Sequence, residues 1–329
     1  MRLDGILSTP ELVDAIARAL EQEAASDPHQ PLHPDALREA AAAIQGGKEA
    51  ALSPVQEAIV RKQGRPTFFI RDAKIAGPLG EFWGPRIEKA QRRLEAVIPA
   101  VGRVDLERDP RWDWNGTAWL VTPDVAVTNR HVAREFAAEN EGVITFAFDP
   151  LGLRQIGCSV DFRHEHQREG DNAFEVTRVL HIEPDGLGRP DVAVLQLAPR
   201  GSRDQEPPGF IRLAQVEPAA RALIASIGYP GKDLRGGQEE LEQQLFGGVY
   251  DVKRLMPGEV METASPRYLN HDCSTLTGCS GSVLIDFEHG LAVGLHYAGD
   301  FGQSNYAVKA STLAEVLHKV GIHQPPAGG

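Results

Sequence analysis

The sequence predicts a mainly β protein preceded by a small helical region, and three features of the chain carry that expectation. From about Val101 onward, short segments rich in β-branched residues (WLVT, VAVTN, VITFAF, VAVLQL, ALIASIGYP, SVLID, LAVGLHYAG and NYAVKA) alternate with Gly, Pro and Asp turns, the texture of sandwiches and barrels. The 33 glycines and 23 prolines among 329 residues exceed the usual share of about 12% and supply those turns. Ahead of Val101 the apolar residues instead recur every third or fourth position, which is helical spacing.

Taken in order, Ser8 and Glu11 have capping-box spacing, and Leu12, Ile16 and Leu20 then share one face. Pro34 to Ile44 places Leu37, Ala41 and Ile44 on one side and stops at Gly46-Gly47, while Ser53-Pro54 with Gln56 opens a third helix ending near Gly64. Pro66 to Ile70 reads as one strand, and Ile87, Gln91, Leu94 and Ile98 outline a fourth helix closed by Pro99. Within the β region, GSRDQEPPG (201–209) is the expected linker and KDLRGGQEELEQQ (232–244) a polar excursion; a last helix runs from Ser311 to Val320. At about 150 residues per domain the length allows two folding units. The expected division is a helical region over 1–100, serving as regulator, adaptor or pro-region, and a second unit over 101–322.

With 34 Lys and Arg against 46 Asp and Glu, the net charge is −12, which disfavours a general nucleic-acid binder because such a protein needs a basic face. Cys158, Cys273 and Cys279 are too few for a secreted disulfide framework, so a reducing, cytoplasmic setting is expected. Asp4, Glu11 and Asp14 interrupt what would be the apolar core of a signal peptide, and no run of eighteen apolar residues predicts a membrane span.

Three segments carry chemistry. In GTAWLVTPDVAVTNRHVA, His131 follows an alternating strand; in GRPDVAVLQL, Asp191 opens an apolar strand; in DCSTLTGCSGSVLID, Ser280 stands between small residues. A serine hydroxyl is a weak nucleophile that needs a base in contact, and the base needs a carboxylate to stabilise the imidazolium it becomes. Small residues at 278, 281 and 282 let the backbone turn tightly, leaving the N–H groups of Gly278 and Ser280 for an oxyanion. Each residue alone has a plainer reading, as a strand-end histidine, a turn aspartate or a serine between glycines; it is their joint order that points to catalysis.

Those segments resemble the trypsin/chymotrypsin-like serine peptidases over about residues 101–322, and within them the bacterial glutamyl endopeptidase branch through the text around Ser280, GLHYAG and NYAV. The resemblance implies a double six-stranded antiparallel β-barrel, the first barrel over about 101–200, the second over about 210–310, with a C-terminal helix at 311–320. It implies His131, Asp191 and Ser280 as the triad, Gly278 and Ser280 as the oxyanion hole, and no cofactor or metal. Thr275, five residues before the nucleophile, and His296, sixteen after it, stand where the glutamyl enzymes line the primary pocket, so cleavage after acidic residues is expected. Tyr297, Ala298 and Gly299 form the edge strand that would pair with extended substrate. Cys279 takes the place of the aspartate that pairs with a processed N-terminus in the chymotrypsin branch.

The expected partners are a protein or peptide substrate and a regulatory partner at the N-terminal helices, with no nucleic acid and no membrane. His164-Glu-His166 and the set His271, Cys273 and Cys279 invite a zinc reading, but neither completes a four-ligand spacing. GYPG (228–231) reads as a turn, without the Lys-Ser/Thr of a phosphate loop. A catalytically silent barrel acting as a peptide-binding or scaffold module is the alternative from another class.

Overall fold

The computed structural model describes Val13, Ala17 and Arg18 together with residues 64–149, 152–168, 170–186, 188–232, 239–261, 265–300 and 304–324. The helices expected over 8–20, 34–46 and 53–64 lie outside these residues, apart from helical Val13, Ala17, Arg18 and Gly64.

The strand expected after Pro66 is β1 (Phe68–Arg71), which returns as β2 (Lys74–Ala76). Asp72 and Ala73 both have positive φ, 55° and 57°, the conformation of a two-residue turn whose twist matches the flanking strands. No glycine eases that turn; the Glu165 carboxylate instead accepts the Ala73 N–H at 3.1 Å. Helix α1 (Gly80–Val97) follows, starting about two turns before the expected Ile87 because Pro85 sits near its N-terminus and forfeits only the bond to the Glu81 carbonyl. Trp83, Ile87, Ala90 and Leu94 repeat at helical spacing and are almost fully buried. Each large apolar side chain so buried contributes roughly 1.5–3 kcal/mol. A 3₁₀ turn over Ile98–Ala100, with Pro99 inside it, ends the helix.

The first barrel is built from β3 (Val101–Glu107), β4 (Trp114–Thr122), β5 (Val125–Thr128), β8 (Gly157–Asp161), β9 (Ala173–Ile182) and β10 (Ala193–Leu197). It closes in the order β10-β5-β4-β3-β8-β9, with every neighbouring pair antiparallel. A one-turn helix, α2 (Arg130–Ala133), follows β5, and the small hairpin of β6 (Ala137–Asn140) and β7 (Val143–Phe146) lies beside the barrel. The second barrel uses β11 (Leu223–Gly228), β12 (Arg254–Met261), β13 (Tyr268–His271), β14 (Val283–Asp286), β15 (Ala292–Asp300) and β16 (Ser304–Lys309). Its ring runs β11-β14-β15-β16-β13-β12 and returns to β11. Helix α3 (Glu239–Phe246) begins in the polar excursion and runs two residues past its end, and α4 (Ala310–Lys319) follows β16. None of the described helices is long and apolar enough to cross a membrane.

The period-two alternation of a strand divides side chains between two cores. In β14, Val283 and Ile285 join the apolar mass shared by both barrels and α1, whereas Leu284 enters the interior of the second barrel. In β11, Ala225 and Ile227 join the first core and Ile224 the second. The segment over 201–209 connects the barrels, and its continuation binds both, through Ile211 N–H to Leu120 O and Ala214 N–H to Ala292 O, each 2.8 Å.

Residues 64–100 are built onto the barrels. Strand β1 pairs with β12, placing Phe68 opposite Leu255, and Thr67 Oγ1 donates to Leu245 O at 2.9 Å. Lys253, fully buried, donates to Ile98 O at 3.1 Å and to Phe162 O at 2.8 Å, joining the end of α1 to the first barrel. Arg65 is 3% exposed and grips Asp272 with two bonds of 2.7 Å.

Candidate active site

His131 lies in α2, at the end of β5 in the first barrel, and Asp191 stands two residues before the start of β10, which is paired to β5. That pairing brings two residues sixty apart in sequence into contact. His131 Nδ1 lies 2.6 Å from Asp191 Oδ2, and the His131 backbone N–H donates to Asp191 Oδ1 at 3.1 Å. Asn129 Nδ2 holds the Asp191 carbonyl at 2.9 Å, while Arg130 Nη1 reaches Pro184 O at 3.1 Å and Pro190 O at 3.3 Å. Burial by itself pushes the Asp191 carboxyl up, but the hydrogen bond and charge of His131, its backbone N–H and the Arg130 charge outweigh it and hold the group below the ordinary carboxylate range. An ionised carboxylate only accepts, so Nδ1 carries the proton in neutral His131 and Nε2 is left as a free base.

Ser280 belongs to the second barrel, half-buried in the turn before β14. A residue the sequence reading passed over, Thr117 of β4, docks this turn onto the first barrel. Its N–H donates to Ser280 O at 2.8 Å, its hydroxyl donates to Gly278 O at 3.1 Å, and its own carbonyl accepts from Thr128 Oγ1 at 2.7 Å. A Cβ on Gly116 would lie 2.8 Å from Val132 Cγ2 and 3.1 Å from Ser280 O, so the residue beside His131 and the serine backbone converge on one spot.

Peptide planarity sets the direction of the two N–H groups expected to form an oxyanion hole. Thr277 O accepts from Gly231 N–H at 2.6 Å and Cys279 O accepts from Ser282 N–H at 2.9 Å. In a trans peptide the following N–H points the opposite way, so the Gly278 and Ser280 N–H groups turn away from those bonds. Neither has a backbone acceptor among the described residues. GYPG, read as a turn, supplies the Gly231 hydrogen bond and the close approach of Gly228, where a Cβ would lie 1.8 Å from Ser282 Oγ. Gly281 has φ +88°, and a Cβ there would lie 1.9 Å from Thr117 O. Gly281→Ala is therefore expected to lower stability by more than about 2 kcal/mol, measured by denaturant unfolding; an unchanged midpoint would show that the turn is not so constrained.

Thr275 Oγ1 donates to Asn305 Oδ1 at 2.9 Å, and Asn305 Nδ2 donates to Cys273 O at 2.6 Å. His296 is 4% exposed, with Nδ1 3.1 Å from Nε2 of the fully buried His271. Burial pushes His271 down to about 3, and burial with the neighbouring His271 and His131 puts His296 well below the ordinary histidine value. Asn305 was not singled out in the sequence, and His271 was weighed there only as a zinc ligand beside Cys273 and Cys279. Among the described residues no three His, Cys, Asp or Glu side chains gather as a metal site. His166 stacks on Phe69 at 3.9 Å, and His164 lies 3.9 Å from Asp161. All three cysteines are buried and free, and burial raises Cys279 to about 12, so the thiol beside Ser280 stays protonated.

Strand β15 pairs with β14 only as far as Leu295, and His296 exchanges bonds with Gly281 and Ser282. Beyond it, Ala298 and Gly299 are exposed and pair on their other side with Tyr306 and Asn305 of β16. No described strand covers the β14-side edge of Tyr297, Ala298 and Gly299. Tyr297 packs against Tyr268 and Tyr306 at 5.6 and 6.3 Å between centroids.

Solved structures similar to this chain include the Rv3671c protease from M. tuberculosis in its active form, 20% identical, covering 84% of this chain and 97% of that one, with a TM-score of 0.46. A serine endoprotease from Yersinia pestis is 18% identical over 71% of this chain and 65% of its own, with a TM-score of 0.46. A Glu endopeptidase in complex with MPD is 17% identical over 68% of this chain and 91% of its own, with a TM-score of 0.45. Among curated proteins none matches the sequence. The family model for the trypsin-like peptidase domain matches residues 116–295, more than half of the chain, from within β4 to Leu295 of β15. Two closed six-stranded barrels and that match together establish that the chain belongs to the trypsin-like peptidases and is a serine endopeptidase.

Proposed function

We propose that this peptidase hydrolyses protein or peptide substrates through an acyl-enzyme formed on Ser280. His131 Nε2 takes the Ser280 Oγ proton as the oxygen attacks the scissile carbonyl, then passes it to the leaving amine; water repeats the sequence to release the acid. Asp191 holds the tautomer and stabilises the imidazolium. The Gly278 and Ser280 N–H groups receive the developing oxyanion, where one donor is worth on the order of 3 kcal/mol. Extended substrate adds as a strand to the uncovered edge of Tyr297, Ala298 and Gly299.

The observation that carries this reading is the 2.6 Å contact of His131 Nδ1 with an ionised Asp191, which leaves a base free on the ring. At the primary pocket, Thr275 and His296 favour a residue whose side chain ends in oxygen, the class that contains the expected acidic residues. A fluorophosphonate probe should label the protein covalently, and Ser280→Ala should abolish both the label and peptide cleavage. Well-folded wild-type protein that takes no label would instead support a silent peptide-binding barrel.

The regulatory or recruiting role belongs, in this reading, to residues 1–63. Removing residues up to 101 would also strip β1 and the buried face of α1. A chain starting at residue 60 is the appropriate comparison with the full protein, and equal activity and substrate choice in the two would remove that role.

A further inference from the structure

The residues assigned above to the primary pocket, Thr275 and His296, carry a fixed pattern of donors and acceptors that discriminates within the oxygen-terminated class. Asn305 sets one half of it. Its Nδ2 donates to Cys273 O, so its Oδ1 must face Thr275; the flipped amide would set oxygen against oxygen. The Thr275 hydroxyl proton is thereby committed to Asn305 Oδ1, and what Thr275 Oγ1 retains is lone pairs. A Cβ on exposed Gly299 would lie 2.0 Å from Asn305 Oδ1 and 3.8 Å from Thr275 Oγ1, so the bare glycine borders both oxygens.

The histidine pair sets the other half. Neither ring contacts a carboxylate among the described residues, and Asp272, next to His271, is turned to Arg65 and to the Glu259 N–H. Burial accordingly keeps both rings neutral, and a single proton lies between His271 Nε2 and His296 Nδ1. If His296 supplied it, His271 Nδ1 would carry an orphaned N–H in a site where that atom is sealed and has no partner. If His271 supplies it, only a lone pair is orphaned, which is the smaller cost. The second arrangement places the His296 proton on Nε2. That atom, unlike His271 Nδ1, is not one of the sealed atoms without a partner, and His296 keeps 4% of its surface accessible.

The pocket therefore offers one neutral N–H from His296 and oxygen lone pairs from Thr275. We propose that it is built for a side-chain carboxamide, so that the enzyme cleaves after glutamine in preference to glutamate; this rests on the peptidase reading above. The amide oxygen accepts from His296 Nε2–H and the amide NH₂ donates to Thr275 Oγ1. A carboxylate can use only the first contact, brings its charge against an oxygen lone pair, and finds the guanidinium of Arg65 already spent on Asp272 behind the same loop. The expectation of acidic specificity thus moves to the amide of the same residue.

The test uses the full chain and peptides identical except for Gln, Glu, Asn or Leu before the scissile bond. Sites that hydrogen-bond a substrate group reject analogues lacking it by large factors, so kcat/KM for Gln should exceed that for Glu by roughly 100-fold or more at neutral pH. Fluorophosphonate labelling with Glu cleaved as well as Gln, or better, overturns the pocket inference and leaves the peptidase reading standing. Absence of both labelling and cleavage overturns the peptidase reading and this inference with it. Nitrogen-15 spectra of histidine-labelled protein give an independent check, with His296 expected neutral and protonated on Nε2 at pH 7; an imidazolium, or a proton on Nδ1, overturns the proposal.

Discussion

Asp191→Asn will leave a folded protein whose turnover falls roughly 10⁴-fold. The asparagine amide can occupy the same space and can turn its NH₂ toward His131 Nδ1, 2.6 Å from the present carboxylate oxygen. Nδ1 then accepts instead of donating, the ring proton moves to Nε2, and the atom required to take the Ser280 proton no longer has a free lone pair. Burial of the Asp191 side chain, 14% exposed, sharpens the effect, because little water reaches its end of the contact to compete with the amide. Steady-state cleavage and the rate of fluorophosphonate labelling should fall together while the thermal unfolding curve stays in place. Near-native turnover in a folded variant would mean that Asp191 does not orient the base.

The largest loss of stability is expected at Arg65. Arg65→Met leaves Asp272 nine-tenths buried without its cation, and breaking a buried pair from one side costs roughly 3–5 kcal/mol. In a protein of 329 residues that shifts the unfolding midpoint by about 4–7 °C. The double variant Arg65→Met with Asp272→Leu should regain part of the loss, since an apolar pair avoids the uncompensated charge. It cannot regain all of it: Asp272 Oδ1 also accepts the Glu259 N–H at 2.7 Å, and that donor would be orphaned. Denaturant unfolding of the two single variants and the double variant measures the coupling; simple additivity would show that the pair is not energetically linked. Because Ser274 Oγ donates to Arg65 O at 2.6 Å, the same break should also loosen the wall that carries Thr275.

The parts of the fold legible in the sequence are those written in local periodicity. Val283, Leu284 and Ile285 read as a buried strand because consecutive residues feed two cores, and Ile87 and Leu94 mark α1 because both fall on its single buried face. His131, Asp191 and Ser280 stood out because each lies in a segment of recognisable texture. Contacts that depend on which strands become neighbours left no such trace. Thr117 looks like any threonine in a strand until β4 is set against the Ser280 turn, and His271 gains its meaning only from β13 and β15 flanking β16. Residues 64–100 look separable in one dimension, because nothing in Pro66 to Ile70 announces that its partner is β12, nearly two hundred residues later.

Thr117 gives the two barrels a shared fate. One residue of the first barrel holds two carbonyls of the loop that bears Ser280, while His131 and Asp191, the proposed base and its carboxylate, sit on that same first barrel. A shear of even an ångström between the barrels would stretch those bonds past hydrogen-bonding range before any strand melted. On the proposed mechanism, peptidase competence is a mechanical gauge of how the halves are seated, and a ligand or partner wedging them apart would stop turnover without touching His131, Asp191 or Ser280.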